Sequence, residues 1–387
     1  MNVAGSDRSI RRARFGLLFV LAMSLATHPA ALAARQAAQA PARVAALPAR
    51  LTDAAFWKLV SDISEPGGYF RIEDNYTSNE REVATVFSML RQANITGGVY
   101  IGVGPEQNFS YIAATRPEMA FIIDIRRQAM VQHLMYKAVF ELSKDRADFV
   151  SLLFSTPRPA GLDAATPIRQ LWEAYYPLAP DMSAVPKTLA RIVAHLTKTH
   201  GFTLTAQESG QLKGVFEAFS FYGWGISTRG APGGGGRGGN GATFADLTGY
   251  AVNALGQVQS FLSTEEHYRY IKSLHERNLI VPVSGDFGGP RALRGIGAYV
   301  RAHGATVSAF YVSNVEQYLF QDGKDRVFYD NVATLPVTPQ SVFIRPYSLR
   351  NRGGGFGAQS LCPIAPFLGA VRAGRVYSNN DALACGR

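Results

Sequence analysis

The sequence predicts an α/β protein in which an open, mostly parallel sheet is flanked by helices and carries a helical insertion. The first observation is a set of short apolar runs of strand length, bounded by glycine or polar turn residues. These runs lie at 98–104, 119–125, 279–283, 306–312 and 341–345. The second observation is the amphipathic helical pattern between them, clearest in Arg127–Leu142. Strands that alternate with helices in this way pair in parallel through right-handed crossovers.

The N-terminus has the pattern of a secretory signal peptide. Four arginines between positions 8 and 14 precede an apolar run at 15–26, and a small-x-small cleavage motif follows at 31–33. The run is too short to span a bilayer core of about 30 Å comfortably. We therefore expect a signal peptide at 1–33, a periplasmic or secreted product, and no integral membrane segment after cleavage. An uncleaved, membrane-tethered protein is the alternative.

Composition favours a globular product. Hydrophobic residues make up 47% of the 387-residue chain, and the formal net charge of +10 is spread over scattered lysines and arginines. Such scattering is typical of a solvated surface, so we expect no nucleic-acid partner. The two cysteines, Cys362 and Cys385, are too few for a zinc site, and whether they form a disulfide is left open.

The other elements follow in chain order. Thr52 is placed to cap a helix at 53–61, and Ser78 or Asn79 to begin the next. Further helices are predicted beside the strands, at 105–115, 127–142, 263–277, 290–304 and 314–320.

Together with the signal peptide, these elements divide the chain into four parts. An Ala/Pro spacer predicted to be disordered covers 34–50, and the α/β domain covers 51–348. Within it, the alternation of strands and helices is interrupted at 157–262, which we interpret as a helical insertion with a glycine-rich loop at 229–241. Residues 349–387 are interpreted as a C-terminal tail.

The turn after the first strand is the first candidate site. Gly102 and Gly104 allow the backbone to approach a ligand, and the following helix, with Glu106 and Asn108 at its start, offers unpaired N–H groups. Asp124 ends the second strand, where a carboxylate can accept hydrogen bonds from both hydroxyls of a ribose. A nucleoside-type site is therefore predicted. The alternative is a plain glycine turn with Asp124 paired to Arg126 or Arg127.

Later turns supply further candidates. Asp286 follows the third predicted strand and is either a catalytic base or polar contact in the pocket, or the cap of the next helix. Tyr311 and Asn314 end the following strand and are expected to line the same cleft. Asp74 and Asn75 belong to an acidic and amide-rich loop that either closes over a ligand or is merely solvated.

The remaining patterns argue against other chemistries. The histidines show no metal-ligand spacing, so no metal site is predicted, and no nucleophile elbow supports a hydrolase triad.

Four segments carry a resemblance to a known fold: Tyr-Ile-Gly-Val-Gly-Pro-Glu-Gln-Asn at 100–108, Ile-Asp-Ile-Arg-Arg at 123–127, Val-Ser-Gly-Asp-Phe at 283–287 and Tyr-Val-Ser-Asn-Val-Glu-Gln-Tyr at 311–318. The first two resemble the opening half of a class I S-adenosylmethionine-dependent methyltransferase with a Rossmann-like fold. All four are similar to segments of a family of uncharacterised exported bacterial proteins, over about 55–348.

The resemblance implies that Gly102 and Gly104 approach the methionine part of the cofactor and that Asp124 holds its ribose. It favours a methyltransferase or a degenerate derivative with S-adenosylmethionine as cofactor. Two alternatives stay open: a non-catalytic envelope protein that binds a ligand on the same scaffold, and a hydrolase or transferase acting on cell-envelope glycans or lipids. Whether the chain is an enzyme is therefore undecided at this point.

Overall fold

The computed structural model describes residues 46–70, 74–80, 83–230, 242–253, 255–347 and 358–385. The predicted signal peptide lies outside these ranges. The strands are β1 (Val99–Val103), β2 (Met119–Asp124), β3 (Ile280–Ser284), β4 (Val307–Tyr311), β5 (Val337–Tyr347) and β6 (Ala358–Pro363). The α-helices are α1 (Asp53–Ile63), α2 (Val83–Gln92), α3 (Gln107–Thr115), α4 (Arg127–Leu142), α5 (Arg146–Phe154), α6 (Ile168–Tyr175), α7 (Val185–Ala194), α8 (Ala206–Tyr222), α9 (Glu265–Glu276), α10 (Ala292–Ala302), α11 (Val315–Gln321), α12 (Asp325–Val332), α13 (Ile364–Arg372) and α14 (Asn379–Ala384).

The six strands form one mixed sheet in the order β3-β2-β1-β4-β5-β6. The first five strands of this order are parallel, and β6 pairs antiparallel with β5. Strands β1, β2 and β3 are buried along their whole length because helices cover both faces of a parallel sheet. This burial explains why they are continuous apolar runs in the sequence. The prediction of a mostly parallel α/β sheet flanked by helices is confirmed.

The helices on either side of the glycine turn agree closely with the pattern. Helix α4 has the predicted bounds, and residues 130–140 are all buried. Thr52 caps α1, with its hydroxyl accepting from the Ala55 N–H at 3.2 Å. The helix expected from Pro105 begins two residues later, at Gln107.

The C-terminal region is part of the domain rather than a tail. Residues 358–363 form the last strand of the sheet, and α13 packs against β5. A disulfide joins Cys362 on β6 to Cys385 just after α14. The polar sequence Ala-Gln-Ser-Leu-Cys-Pro has no apolar run, which is why β6 is not visible in the pattern.

The residues interpreted as an insertion contain several helices. Helices α6, α7 and α8 lie in this segment, with a π-helical turn at His195–Thr199 and another at Asp246–Tyr250. Most of the glycine-rich loop, 231–241, falls outside the described residues. The end of the predicted spacer is ordered: Leu47 packs against the core, and the Arg50 guanidinium donates to the Glu276 carbonyl at 2.7 Å.

Across the described ranges, every helix falls short of the length and apolarity that a membrane span requires.

Candidate functional site

A cavity of about 400 Å³ opens at the carboxyl ends of the parallel strands. The chain leaves β1 toward β2 on one side and places β4 on the other, so strand order reverses between β1 and β4. Open α/β sheets bind ligands at such a reversal. The cavity is lined there by residues at or just after the ends of four different strands: Gly104, Asp124, Asp286 and Asn314.

The turn after β1 presents its backbone to this cavity. Gly104 has a φ of 80°, a conformation that disfavours any side chain. The His133 Nε2–H donates to the Gly104 carbonyl at 2.8 Å. Burial lowers the pKa of His133 to about 4, so the imidazole is neutral at pH 7 and holds the turn as a simple donor.

Gly102 and Asn108 contribute to the internal packing and hydrogen bonding of the turn. The Asn108 amide donates to the carbonyls of Val103, Gly104 and Pro105 at 2.8–3.1 Å, and its oxygen accepts from the Tyr100 hydroxyl at 2.9 Å. A methyl group on Gly102 would lie 1.9 Å from that oxygen. The sequence prediction placed both residues at the ligand, whereas their described contacts are with the protein itself.

Glu106 is also turned inward. Its side chain is buried, and Oε1 accepts from the Ser78 N–H at 3.1 Å. Among the described residues, Oε2 has no hydrogen-bond partner. Desolvation raises the pKa of Glu106 to about 7.

The Asp124 carboxylate lines the cavity and is already paired with the Arg126 side chain. Its Oδ1 accepts from the Arg126 backbone N–H at 2.9 Å and from Nε at 3.0 Å, and Oδ2 accepts from a terminal guanidinium nitrogen at 2.8 Å. Both side chains are nearly buried, and the guanidinium lies 5.9 Å from the centre of the Phe70 ring. Arg127 instead pairs with Glu208 on α8.

Asp286 forms a second ion pair on the cavity wall. Its Oδ2 accepts from the Lys324 Nζ at 2.8 Å, and Oδ1 accepts from the Gly288 N–H at 2.9 Å. The hydrogen bond to Asp286 raises the pKa of Lys324. The cavity is therefore bordered by two carboxylate–cation pairs.

The helix after Asp286 is capped by another residue. Helix α10 begins at Ala292, and Glu65 Oε1 accepts from the N–H groups of Arg291 and Ala292 at 2.8 and 2.9 Å. Glu65 Oε2 also accepts from the Asp286 N–H at 3.2 Å. The cap comes from a residue more than 200 positions away, so no local pattern reveals it.

The other predicted residues lie around the cavity's edge. Asp74 is exposed beside Tyr76, and burial together with that carboxylate raises the pKa of the Tyr76 hydroxyl to about 12. The Asn75 amide nitrogen lies near Gly104, 3.9 Å from the position that a methyl group added to Gly104 would occupy. Tyr311 is buried against Tyr111, with ring centres 4.8 Å apart. The described cavity lining includes none of the three predicted residues.

A buried polar network lies behind Tyr311. Glu80, from the acidic loop, accepts from the Ser313 hydroxyl at 2.7 Å and from the Gln107 amide at 3.3 Å, and it also bonds Gln359 on β6. Burial raises the pKa of Glu80. Ser313 has a φ of 48°, an uncommon conformation for a residue other than glycine, and it also lines the cavity.

The structure brings together three side chains that the sequence did not connect. Glu141 on α4 lies between His195 and His200, with both imidazole Nε2 atoms 2.7 Å from its Oε2. The histidine spacing predicted no metal site because the carboxylate is supplied 54 positions away. This cluster is at the opposite end of α4 from the cavity.

One protein-family model matches the chain in two segments, one in each half of the α/β domain. A profile described as Domain of unknown function (DUF7790) matches residues 76–173 and 248–358, more than half of the chain. The chain belongs to this family. The DUF7790 match omits 174–247, which lies within the helical insertion. A search of curated proteins finds no significant match. The family description names no activity, so the methyltransferase resemblance remains a proposal.

Proposed function

We propose that the cavity binds a nucleoside-type small molecule, with S-adenosylmethionine as the leading candidate, and that the protein is a methyltransferase or a degenerate derivative of one. The observation that carries the proposal is the convergence of Gly104, Asp124, Asp286 and Asn314 on one cavity. These residues come from strand ends and turns spread over about half of the sequence, and they meet where open α/β sheets bind ligands.

The sheet supports the finer part of this proposal. Five parallel strands in the order β3-β2-β1-β4-β5, with a glycine turn after β1 and an acid at the end of β2, are compatible with a Rossmann-like, methyltransferase-like domain. A fold hosts many chemistries, so the site has to carry the functional argument.

The chemistry of the cavity wall suits a ligand with an apolar ring and charges of both signs. Phe70 and Tyr318 form an aromatic corner, with ring centres 4.9 Å apart. The paired charges of Asp124 with Arg126 and Asp286 with Lys324 offer acceptors and donors side by side. S-adenosylmethionine has an adenine ring, a ribose and an amino-acid group, and so matches this mixture.

Asp124 has limited room for a ribose while Arg126 stays in place. A carboxylate offers about four acceptor positions, and Arg126 occupies three of them. One ribose hydroxyl can therefore bind Asp124 directly. For Asp124 to bind both ribose hydroxyls, the Arg126 guanidinium has to rotate away from at least one oxygen of the Asp124 carboxylate.

A second candidate function is ligand binding without catalysis. The observation that favours it is that Asp286, the expected catalytic residue, is already bonded to Lys324 and to the Gly288 N–H. Both carboxylate oxygens of Asp286 therefore already accept hydrogen bonds from the protein, which leaves less of the carboxylate available to a substrate. In this alternative the same cavity binds an envelope ligand and transfers nothing.

We further propose that the protein acts in the periplasm or outside the cell. The disulfide between Cys362 and Cys385 supports this, because disulfides persist in oxidising compartments. Cell fractionation with N-terminal sequencing tests it. An extracytoplasmic protein starting near residue 34 is the expected result, and a cytoplasmic protein with an intact N-terminus contradicts it.

Isothermal titration of the full chain with S-adenosylmethionine and S-adenosylhomocysteine tests the binding proposal. We expect micromolar binding that is lost in Asp124→Asn and retained in Asp62→Asn, which alters an exposed acid paired with Lys58 outside the described lining. Absence of heat and of a thermal shift at millimolar ligand would rule out this cofactor. Binding without methyl transfer to any envelope acceptor would favour the non-catalytic alternative.

A further inference from the structure

The Glu141–His195–His200 cluster has the composition of a transition-metal site. The Nε2 atoms of the two histidines lie 3.3 Å apart, and each is 2.7 Å from Glu141 Oε2. Ligand atoms around a tetrahedral zinc ion are about 3.3 Å apart, given bonds of about 2.0–2.1 Å. The histidine pair already has this separation, and the glutamate oxygen needs to withdraw by only about half an ångström.

A π-helical turn aligns the two histidines. Residues five apart point in different directions on an α-helix, but the His200 N–H bonds the His195 carbonyl at 3.1 Å, closing an i to i+5 turn. This turn follows α7 directly and brings both imidazoles to Glu141. Such turns are rare and recur at functional sites.

Asp53 orients His200 for metal binding. Its Oδ1 lies 2.7 Å from His200 Nδ1, so this ring nitrogen donates to the carboxylate. The Nε2 lone pair of a neutral imidazole is then directed at the cluster, which is the arrangement that outer carboxylates impose on metal-bound histidines.

Lys137 occupies the other side of Glu141. Its Nζ donates to Oε1 at 2.6 Å and to the His275 carbonyl at 2.7 Å, leaving Oε2 for the cluster. The lysine therefore holds the carboxylate in position without taking the oxygen that faces the histidines. Its charge is expected to weaken the affinity for a dication without blocking the site.

We propose that Glu141, His195 and His200 bind one divalent transition-metal ion of the zinc type, with water in the fourth position. Two imidazoles and a carboxylate are ligands that zinc accepts. The histidines belong to the insertion, Glu141 to α4, and Asp53 to α1. The ion thus fastens the insertion and the N-terminal helix to the α/β core, at the end of α4 far from the cavity.

Metal analysis of the tag-free full chain tests this site. After treatment with a chelator and incubation with zinc, we expect one zinc ion per chain, and none in the His195→Ala/His200→Ala double variant. His303→Ala is the matched control, because His303 is also half-buried but bonds only a backbone carbonyl among its described contacts. This control should retain one zinc ion per chain.

Thermal unfolding gives a second measurement that does not depend on how stable each variant is. At a zinc concentration about 100 times Kd, the wild type and His303→Ala should melt about 5 °C higher than without zinc. Glu141→Gln, which keeps the shape of the side chain, should lose most of this zinc-dependent shift. A wild type that binds no zinc and shows no shift, or a double variant that still binds one ion, would overturn the proposal and leave a hydrogen-bonded network of two imidazoles and two carboxylates.

Discussion

The buried carboxyl of Glu106 makes stability depend on pH. In the folded protein its pKa is about 7, whereas an unfolded glutamate titrates near 4.3. The contribution of Glu106 is therefore fully present below the unfolded pKa and is lost as the pH rises through the folded pKa. Between pH 4 and pH 8, we expect the free energy of unfolding to fall by about 3 kcal/mol more in the wild type than in Glu106→Gln, measured by urea denaturation.

The control for this prediction is Glu118→Gln, which changes an exposed glutamate. Its pH dependence should follow that of the wild type. Equal pH dependence in wild type and Glu106→Gln would show that the carboxyl is ionised in the folded protein at little cost.

Gly102 tests whether the glycine turn is built for a ligand or for its own packing. A methyl group there would meet the Asn108 amide oxygen and the Tyr100 ring, so Gly102→Ala should break the turn's internal hydrogen bonds. We expect a loss of about 2–3 kcal/mol in the free energy of unfolding. Gly210→Ala on α8, where a methyl group meets nothing within 4 Å, should be neutral or slightly stabilising. Equal stability of Gly102→Ala and wild type would mean that the turn can rearrange.

The site residues show what sequence reasoning can and cannot reach. Gly104, Asp124 and Asp286 were placed at one edge because the carboxyl ends of parallel strands meet there. The direction of a side chain within a turn is not set by its position in the sequence. Glu106 and Asn108 follow the same turn and yet point into the protein.

At the scale of elements, hydrophobic periodicity is enough to predict the helices and strands whose burial is regular. The bounds of α4 match the pattern, and the five parallel strands lie where the apolar runs are. The hydrophobic pattern does not reveal α5, α12 or the elements after residue 357. Strand β6 is the clearest case: it depends on β5 and on a disulfide, neither of which leaves a local hydrophobic pattern.

The disulfide should stabilise the β6 element measurably. It closes a chain of 23 residues, and the loss of chain entropy in the unfolded state corresponds to about 3 kcal/mol. We expect reduction to lower the free energy of unfolding by about this amount, so the reduced protein should unfold at a lower urea concentration. The Cys362→Ala/Cys385→Ala variant provides the control, since reductant should not change its stability. If reduction leaves the wild type unaffected, the C-terminal elements are held by packing alone.

At the scale of the whole molecule, α4 separates the two proposed sites. Its first turn adjoins the Asp124–Arg126 pair, and Glu141 near its last turn adjoins the two histidines, about 20 Å away at 1.5 Å per residue. The helix is buried between these ends against β2, β3, α8 and α9, so it forms a rigid support. A coupling between the sites would need an element with two stable arrangements.

We therefore expect the two sites to be energetically independent. The losses of unfolding free energy in Asp124→Asn and His200→Ala should add in the double variant to within about 0.5 kcal/mol, because the substitutions are distant and share no partner. Chemical denaturation of the four proteins measures this directly. The zinc-dependent melting shift should likewise be the same in Asp124→Asn as in the wild type. An interaction energy above about 1 kcal/mol would instead mean that the two ends of α4 are energetically coupled.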